Sequence, residues 1–435
     1  MKLKGTNIVI DTAWGDSGKG KFVDVFSGDA DLIVRFNGGA NAGHTVVNDY
    51  GEFKFHLIPT GIFNPNALSI LAGSVAISPL TLVEEINELR EKGVSISPKN
   101  LLISEYAHMI MPWHIARDSL RETARGDAKV GTTGRGIGPL YADRTERVGV
   151  RMGDMLKENF EKIILRELDW QTKLIALMDT EEPSTYLESL APEKVLADFR
   201  AVQEILAPMI GNPLPLIWEA QKAGKEILGE GAQGILLDID LGTYPFVTSS
   251  HPGVTGFSIA TGLQQNDIAR VIGVTKAYQT RVGEGPMPTE LLGEVGDKLR
   301  ELGNEYGATT GRPRRCGWLD LPSLRYSLQV GGVNSIALTK IDVLDGMDEI
   351  KICTHYEHNG KKYDTLPTAD AVFMAEAKAI YKTMPKWDGA TFGVKDFSDF
   401  PQEAQDYVQY IEDAVGVSVE IISNGPAREE VFYRV

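Results

Sequence analysis

The chain predicts an α/β fold, a mostly parallel central sheet with flanking helices. Three observations carry that prediction. A β-branched run, Ile8-Val9-Ile10, stops at a glycine-rich turn from which an apolar helical pattern (Phe22, Val23, Phe26) resumes. A second run, Asp31 to Phe36, ends in another glycine-rich turn, Asn37-Gly38-Gly39-Ala40-Asn41-Ala42-Gly43-His44-Thr45. Further strand-to-turn transitions follow at Ile227 to Gly234 and Ile336 to Asp342. Ligands of such sheets bind outside the carboxyl ends of the strands, so the two early turns predict one site.

The first turn, Thr12 to Lys21, has the layout of a phosphate cradle. Gly15, Gly18 and Gly20 let backbone N–H groups approach an anion, the helix N-terminus adds its dipole, and Lys19 supplies a point charge. The match to G-x-x-x-x-G-K-[ST] is imperfect, because Ala13 replaces the first glycine and Gly20 the metal-holding hydroxyl. Asp16 is the oxygen donor available in its place, since Mg²⁺ prefers one or two carboxylates with phosphate oxygens.

Length alone allows two or three domains for 435 residues. Composition, 43% hydrophobic and 24% charged, is that of an ordinary globular protein. The net charge of −16 argues against a nucleic-acid surface, which needs basic patches. No apolar run is long enough for a signal-peptide core or a membrane span. Two cysteines, Cys316 and Cys353, make no disulfide framework, and a cytoplasmic location is expected.

Further along, residues 68–104 read as additional α/β units, and Gly131 to Pro139 as a loop that cannot be a helix interior. Residues 158–225 read as helical, with a core stripe at Val195, Leu196, Phe199, Val202, Ile205, Leu206 and Met209. A hairpin is predicted at 349–364 around Asn359-Gly360, then helices at 369–382 and 401–415, then a strand over 417–422.

Four groups of residues suggest chemistry. Thr339-Lys340-Ile341-Asp342 resembles the Asn-Lys-x-Asp base-reading motif of GTP-binding proteins; the Asp342 carboxylate can accept from N1–H and the 2-amino group of guanine, a donor pair that adenine lacks. His44, in a strand-end turn near Asp16, suits acid or electrostatic work on a phosphoryl oxygen, and Asp16 suits either metal or general-base duty. Hydroxyls and guanidinium groups share the stretch Asn304 to Arg315, which suggests a second anionic substrate. Cys353, His355 and His358 look like metal ligands, but in a strand His358 points away from the other two.

Together these motifs resemble the adenylosuccinate synthetase family along essentially the whole chain. The resemblance is carried by Trp14 to Lys21, Asn41 to Thr45, Gly131 to Pro139, Glu230 to Gly234, Gly242 to Pro245, Gly307 to Asp320, Thr339 to Asp345 and Ser423 to Pro426. It implies a GTP-dependent ligase joining L-aspartate to inosine monophosphate (IMP) through a 6-phosphoryl intermediate, with Mg²⁺ held at Asp16 and Gly43. It also implies a homodimer, no nucleic-acid partner, and one domain over residues 1–435 with a mainly helical insertion at about 155–226, because the phosphate loop and the base readers lie at opposite ends of the chain.

The resemblance assigns catalysis to Asp16, His44, Lys19 and Gln233. For the purine monophosphate it implies Asp16, Ser17, Lys19, Asn41, Ala42, Gly43 and His44, joined by Thr133, Gln233, Thr248 and Arg312, with Arg147 reaching in from the partner subunit. GTP would meet Gly15, Ser17, Gly18, Lys19, Gly20 and Lys21, the turn Gly43-His44-Thr45, and Arg314. Its base would lie among Lys340, Ile341, Asp342, Ser423, Asn424 and Gly425. Aspartate would be held by Ala308, Thr309, Thr310, Gly311, Arg312 and Arg314.

The chain departs from the family's usual Gln-Trp-Gly-Asp-Glu-Gly-Lys-Gly-Lys at Ala13 and Ser17, and it carries His251-Pro252-Gly253 beside the monophosphate pocket. One alternative is therefore the same chemistry on another 6-oxopurine monophosphate, such as deoxyguanylate. An alternative of another class is a GTP-binding switch or scaffold.

Overall fold

Thr6–Asp11 lies near the middle of the largest sheet, and all six of its residues are buried. Ile8, Val9 and Ile10 have no exposed surface, as a parallel strand covered on both faces requires. The structure, a computed structural model, describes residues 3–48, 50–126, 129–178, 184–307 and 311–434.

Among the described residues the sheet has ten strands. From one edge they run Val431–Tyr433, Val419–Ser423, Ser335–Thr339, Ile268–Lys276, Thr6–Asp11, Ile227–Glu230, Leu32–Arg35, Leu68–Leu71, Leu101–Ser104 and Ile210–Gly211. Every neighbouring pair is parallel except Val419–Ser423 with Val431–Tyr433. The α/β class and the mostly parallel sheet predicted from the sequence are thus observed. Only Ile268–Lys276 separates Thr6–Asp11 from Ser335–Thr339, and the three strands run parallel, so the turns that follow Asp11 and Thr339 leave the sheet at the same, carboxyl, end.

A second sheet combines Tyr278–Arg281, Arg315–Asp320, Ile350–His358, Lys361–Tyr363 and Lys378–Met384. The predicted hairpin is present, with Asn359 (φ 50) and Gly360 (φ 72) both left-handed, as a two-residue turn of that kind needs. The helix predicted over 369–382 is corrected: it covers only Ala371–Glu376, and Lys378–Met384 is a strand paired antiparallel with Ile350–His358. Apolar residues there serve both periods, and the open edge of the neighbouring strand decides between them.

The stretch read as continuously helical divides into Phe160–Met178, Ser184–Ser189, Pro192–Leu206 and Leu214–Lys222. Val195, Phe199, Val202 and Leu206 form the buried stripe and share a core with Ile164, Leu168 and Ile175. Between these helices Ile210–Gly211 adds the last strand of the main sheet. At Gly131 to Pro139 the loop ends sooner than expected, since Ile137–Glu146 is a helix entered through left-handed Gly136 (φ 74). No helix among the described residues is long and apolar enough to cross a membrane.

Candidate active site

Asp11 ends the central strand, and the chain then folds back over it. The Asp11 side chain has no exposed surface; its carboxylate accepts from the N–H groups of Ala13 (2.8 Å), Gly15 (3.2 Å) and Ser17 (3.0 Å) and from Lys19 Nζ (3.3 Å). Gly15 (φ 95), Asp16 (φ 59) and Gly18 (φ 94) are left-handed, which turns the chain sharply into the helix Lys19–Ser27. Thr339 Oγ1 donates to the Ser17 carbonyl at 3.0 Å, tying the loop to the base-reading strand.

Two glycines record how closely the neighbouring turns approach. A Cβ on Gly234 would lie 2.2 Å from the Ala13 carbonyl oxygen, so the turn carrying Gln233 can pack on the phosphate loop only without a side chain there. A Cβ on Gly20 would lie 3.1 Å from the His44 Cβ, which places the two early turns in contact as predicted.

His44 opens the hairpin His44–Asn48 with Gly51–Phe55. Its Nδ1 lies 2.7 Å from Glu230 Oε1, and Glu230 Oε2 accepts from the Thr60 N–H at 2.9 Å. A carboxylate only accepts, so the ring carries its proton on Nδ1 and turns Nε2 away from Glu230. Burial lowers the His44 pKa and outweighs the opposing pull of Glu230. Gly43 and Thr45 flank it at the start of the hairpin.

Several atoms assigned to the purine monophosphate are buried without a hydrogen-bond partner among the described residues: Gln233 Nε2, Asn41 Oδ1 and Thr248 Oγ1. Buried polar atoms are nearly always satisfied, so these await a ligand or solvent. Gln233 is also left-handed (φ 60), and its neighbour Ala232 is clasped by Asn37, with bonds of 2.8 and 3.0 Å. Beside this turn lies a cavity of about 760 Å³ lined in part by Asn37, Tyr141, Arg144, Ser250 and His251. His251 pairs with Asp238 at 3.1 Å, a hydrogen bond that raises its pKa. Asp238, Asp240 and His251 come within 4.8 Å of one another, an acidic group the sequence reading did not anticipate. Cys353, His355 and His358 form no metal-type cluster among the described residues, and Cys353 is buried.

Thr133 and Arg147 are exposed, and the Arg147 guanidinium makes no ion pair or hydrogen bond among the described residues. Arg147 is left-handed (φ 71) and caps the helix Ile137–Glu146. Of the residues assigned to aspartate, Ala308, Thr309 and Thr310 lie outside the described residues. Of the residues flanking them, Gly307 N–H donates to the Arg312 carbonyl and Gly311 N–H to the Gly307 carbonyl, both 2.8 Å.

At its base Glu305 organises three cations. Its carboxylate takes Lys276 Nζ at 2.8 Å, Arg314 Nη1 at 2.7 Å and the Tyr278 hydroxyl at 2.5 Å, with Lys340 Nζ at 3.8 Å. Burial opposes its ionisation, but Lys276, Lys340 and Arg314 together hold its carboxyl at about 2. Arg314 Nε lies 3.2 Å from Asp16 Oδ2, so one arginine spans the anion loop and the phosphate loop. Arg315, by contrast, is bound to Glu290 and to loop carbonyls, which removes it from the anion cluster suggested by the sequence. Glu305→Gln is expected to lower stability by roughly 3–5 kcal/mol, the usual cost of breaking a buried charge network, measured as a urea midpoint. Because its folded pKa is below the ordinary 4.5, that stability is complete above pH 4.5 and is lost as the pH falls towards 2; the variant lacks this acid limb.

At the base-reading end Lys340 is left-handed (φ 60) and donates to the Gly303 carbonyl at 2.5 Å. Ile341 is fully buried, and Asp342 follows with one carboxylate oxygen, Oδ1, buried and unpartnered among the described residues. Burial raises the pKa of Asp342. Lys21 reaches away from the phosphate loop to Ser423 Oγ (2.9 Å) and the Gly425 carbonyl (2.7 Å), and burial lowers its pKa to about 8. Asn424 anchors the same turn on the Thr391 and Val394 carbonyls. Lys21 therefore joins the first helix to the last turn rather than standing in the cradle.

Fold and site together define an enzyme of the α/β class, with the glycine-rich loop after Asp11, the half-buried Asp342 carboxylate and the Arg314 segment gathered at the carboxyl end of a parallel sheet. The comparisons agree. Residues 8–432 match the family described as adenylosuccinate synthetase. The adenylosuccinate synthetase of Halothermothrix orenii is 46% identical over 432 residues, covering 99% of each chain. That of Caldanaerobacter subterraneus subsp. tengcongensis is 45% identical over 426 residues, covering 98% of each. The solved structure of fully ligated adenylosuccinate synthetase from Plasmodium falciparum superposes with a TM-score of 0.92 at 35% identity over 99% of both chains. A succinoaminodeoxyadenylate synthetase of cyanophage S-2L, solved with dGMP and dATP, matches at 17% identity with a TM-score of 0.61, a likeness of fold alone. The chain belongs to the adenylosuccinate synthetase family. It is a ligase that uses GTP to join aspartate to IMP, and neither the deoxyguanylate acceptor nor the GTP switch is favoured.

Sequence reasoning gave no role to Asp11, Glu230 or Glu305. Asp11 and Glu230 each end a buried strand ahead of a glycine-rich turn, and that context is the signal available in the sequence; Glu305, in a largely exposed loop, carries none.

Proposed function

We propose that the turn Gly15 to Gly20 holds the GTP phosphates and the catalytic base together. The observation that carries this reading is the placement of Asp16: it leaves the loop in a left-handed conformation, 34% exposed, with its carboxylate facing Arg314. Asp16 takes the N1 proton of IMP, and the O6 so activated attacks the γ-phosphorus, breaking its bond to the β-bridging oxygen and releasing GDP. Lys19 and His44 neutralise charge on the transferring group, with Glu230 orienting the imidazole and Gln233 meeting the purine; such transfer is mostly positioning and charge stabilisation. The aspartate amine then attacks C6, phosphate leaves with O6 and the bonding electron pair, and the amine's surplus proton passes to that phosphate.

The Asp16 carboxylate and the Gly43 carbonyl are hard oxygen donors beside the cradle, a donor set that fits Mg²⁺. Bound there, Mg²⁺ would offset phosphate charge. Thr133, Thr248, Asn41 and Arg312 hold the monophosphate, with Arg147 supplied by the partner of a homodimer; its free guanidinium at an exposed helix end supports that arrangement. Aspartate is held by the loop from Ala308 to Arg314. We place the enzyme in the cytoplasm, as one functional unit.

The test supplies GTP, Mg²⁺ and aspartate with either IMP or deoxyguanylate. GDP should form in equal amount to succinylated product, with IMP and not deoxyguanylate, and only when aspartate is present. GTP turnover indifferent to both co-substrates would contradict the reading.

A further inference from the structure

We infer that Asp11 is a positioning residue for Asp16, an inference that rests on the reading of Asp16 as the base. The two peptide N–H groups that flank Asp16, those of Gly15 and Ser17, both donate to the Asp11 carboxylate, at 3.2 and 3.0 Å, and Ala13 N–H does so at 2.8 Å. Alternate N–H groups of the loop are thereby drawn inward to one buried acceptor. Asp16, between two of them, is left-handed (φ 59), a conformation uncommon for residues other than glycine, and the two flanking bonds hold it there.

The anchor is itself rigid. Asp11 ends the central strand, fully buried, with strands paired on both sides. Its fourth partner is Lys19 Nζ, 3.3 Å from Oδ2, the oxygen that also accepts from Ser17 N–H. Asp11 lies behind the loop, bonded to the Ser17 N–H and to Lys19 Nζ; through the N–H groups on either side of Asp16 it fixes where the Asp16 carboxylate begins its reach towards N1. A misplacement of about 1 Å at a reacting group can cost on the order of 10²-fold in rate.

The test compares the wild type with Asp11→Asn, Asp16→Asn and the double variant, following residual turnover with isotopically labelled aspartate. Asn keeps the shape of Asp11 but offers an amide NH₂ where a carboxylate oxygen accepted. Asp11→Asn should lower kcat by roughly 10²-fold, with KM for GTP and IMP within about threefold of the wild type. In the Asp16→Asn background it should add no more than about a threefold loss, as expected when one residue acts through another. Equal losses in both backgrounds, a normal kcat, or a raised KM with kcat intact would overturn the inference while leaving Asp16 as the base. Near-normal turnover of Asp16→Asn alone would instead remove the reading beneath it, and the inference with it. Should Asp11→Asn not fold, amide exchange of the wild type decides: slow exchange at Ala13, Gly15 and Ser17 without nucleotide supports the anchor, and fast exchange contradicts it.

Discussion

Asp16→Asn lowers kcat by roughly 10²–10⁴-fold, the range lost with a general base, while the fold persists. The side chain is 34% exposed and carries no part of the core, so its loss leaves packing unchanged. Its shape is retained by asparagine, but the lone pair that accepts the N1 proton is not. The ion pair with Arg314 at 3.2 Å also disappears, so KM for aspartate rises as well if Arg314 serves both loops. Steady-state kinetics with circular dichroism as a control for folding checks this. Near-normal turnover contradicts the assignment.

Asp342→Asn is the second large effect. Its Oδ1 is buried with no partner among the described residues, and burial raises its pKa, so the site gains most when a donor pair from the base arrives. Hydrogen bonds to a charged group contribute about 1.5–3 kcal/mol each, so losing the pair lowers kcat/KM for GTP by roughly 10²–10⁴-fold. The amide instead offers an N–H to a 2-oxo group, so xanthosine triphosphate becomes a better donor than GTP. Competition among GTP, ATP and xanthosine triphosphate reads this out; an unchanged preference for GTP contradicts the role of Asp342.

The sequence made the strand-to-turn units legible because each strand is short, β-branched and stopped by glycine. It also placed Asp16, His44 and Asp342 in such turns, and in the structure those turns leave the sheet at the carboxyl ends of its strands. What it hid has physical reasons. Lys378–Met384 carries little period of its own, and pairing with a distant strand makes it a strand. Glu305 reads as one acid in a basic loop, because its three cations come from Lys276, Arg314 and Lys340, which only the fold brings together. Lys21 reads as part of the cradle by adjacency, yet its helix directs it to Ser423 and Gly425 at the far end of the chain. Asp11 reads as the polar end of a strand, and its role depends on the loop folding back onto it.

The central claim is that one loop activates the acceptor and holds the donor, so that O6 of IMP is phosphorylated before the amine arrives. IMP labelled with oxygen-18 at position 6, incubated with GTP, Mg²⁺ and aspartate, tests it directly by mass spectrometry of the released phosphate. The account predicts one labelled oxygen in each phosphate formed; unlabelled phosphate alongside succinylated product would contradict it.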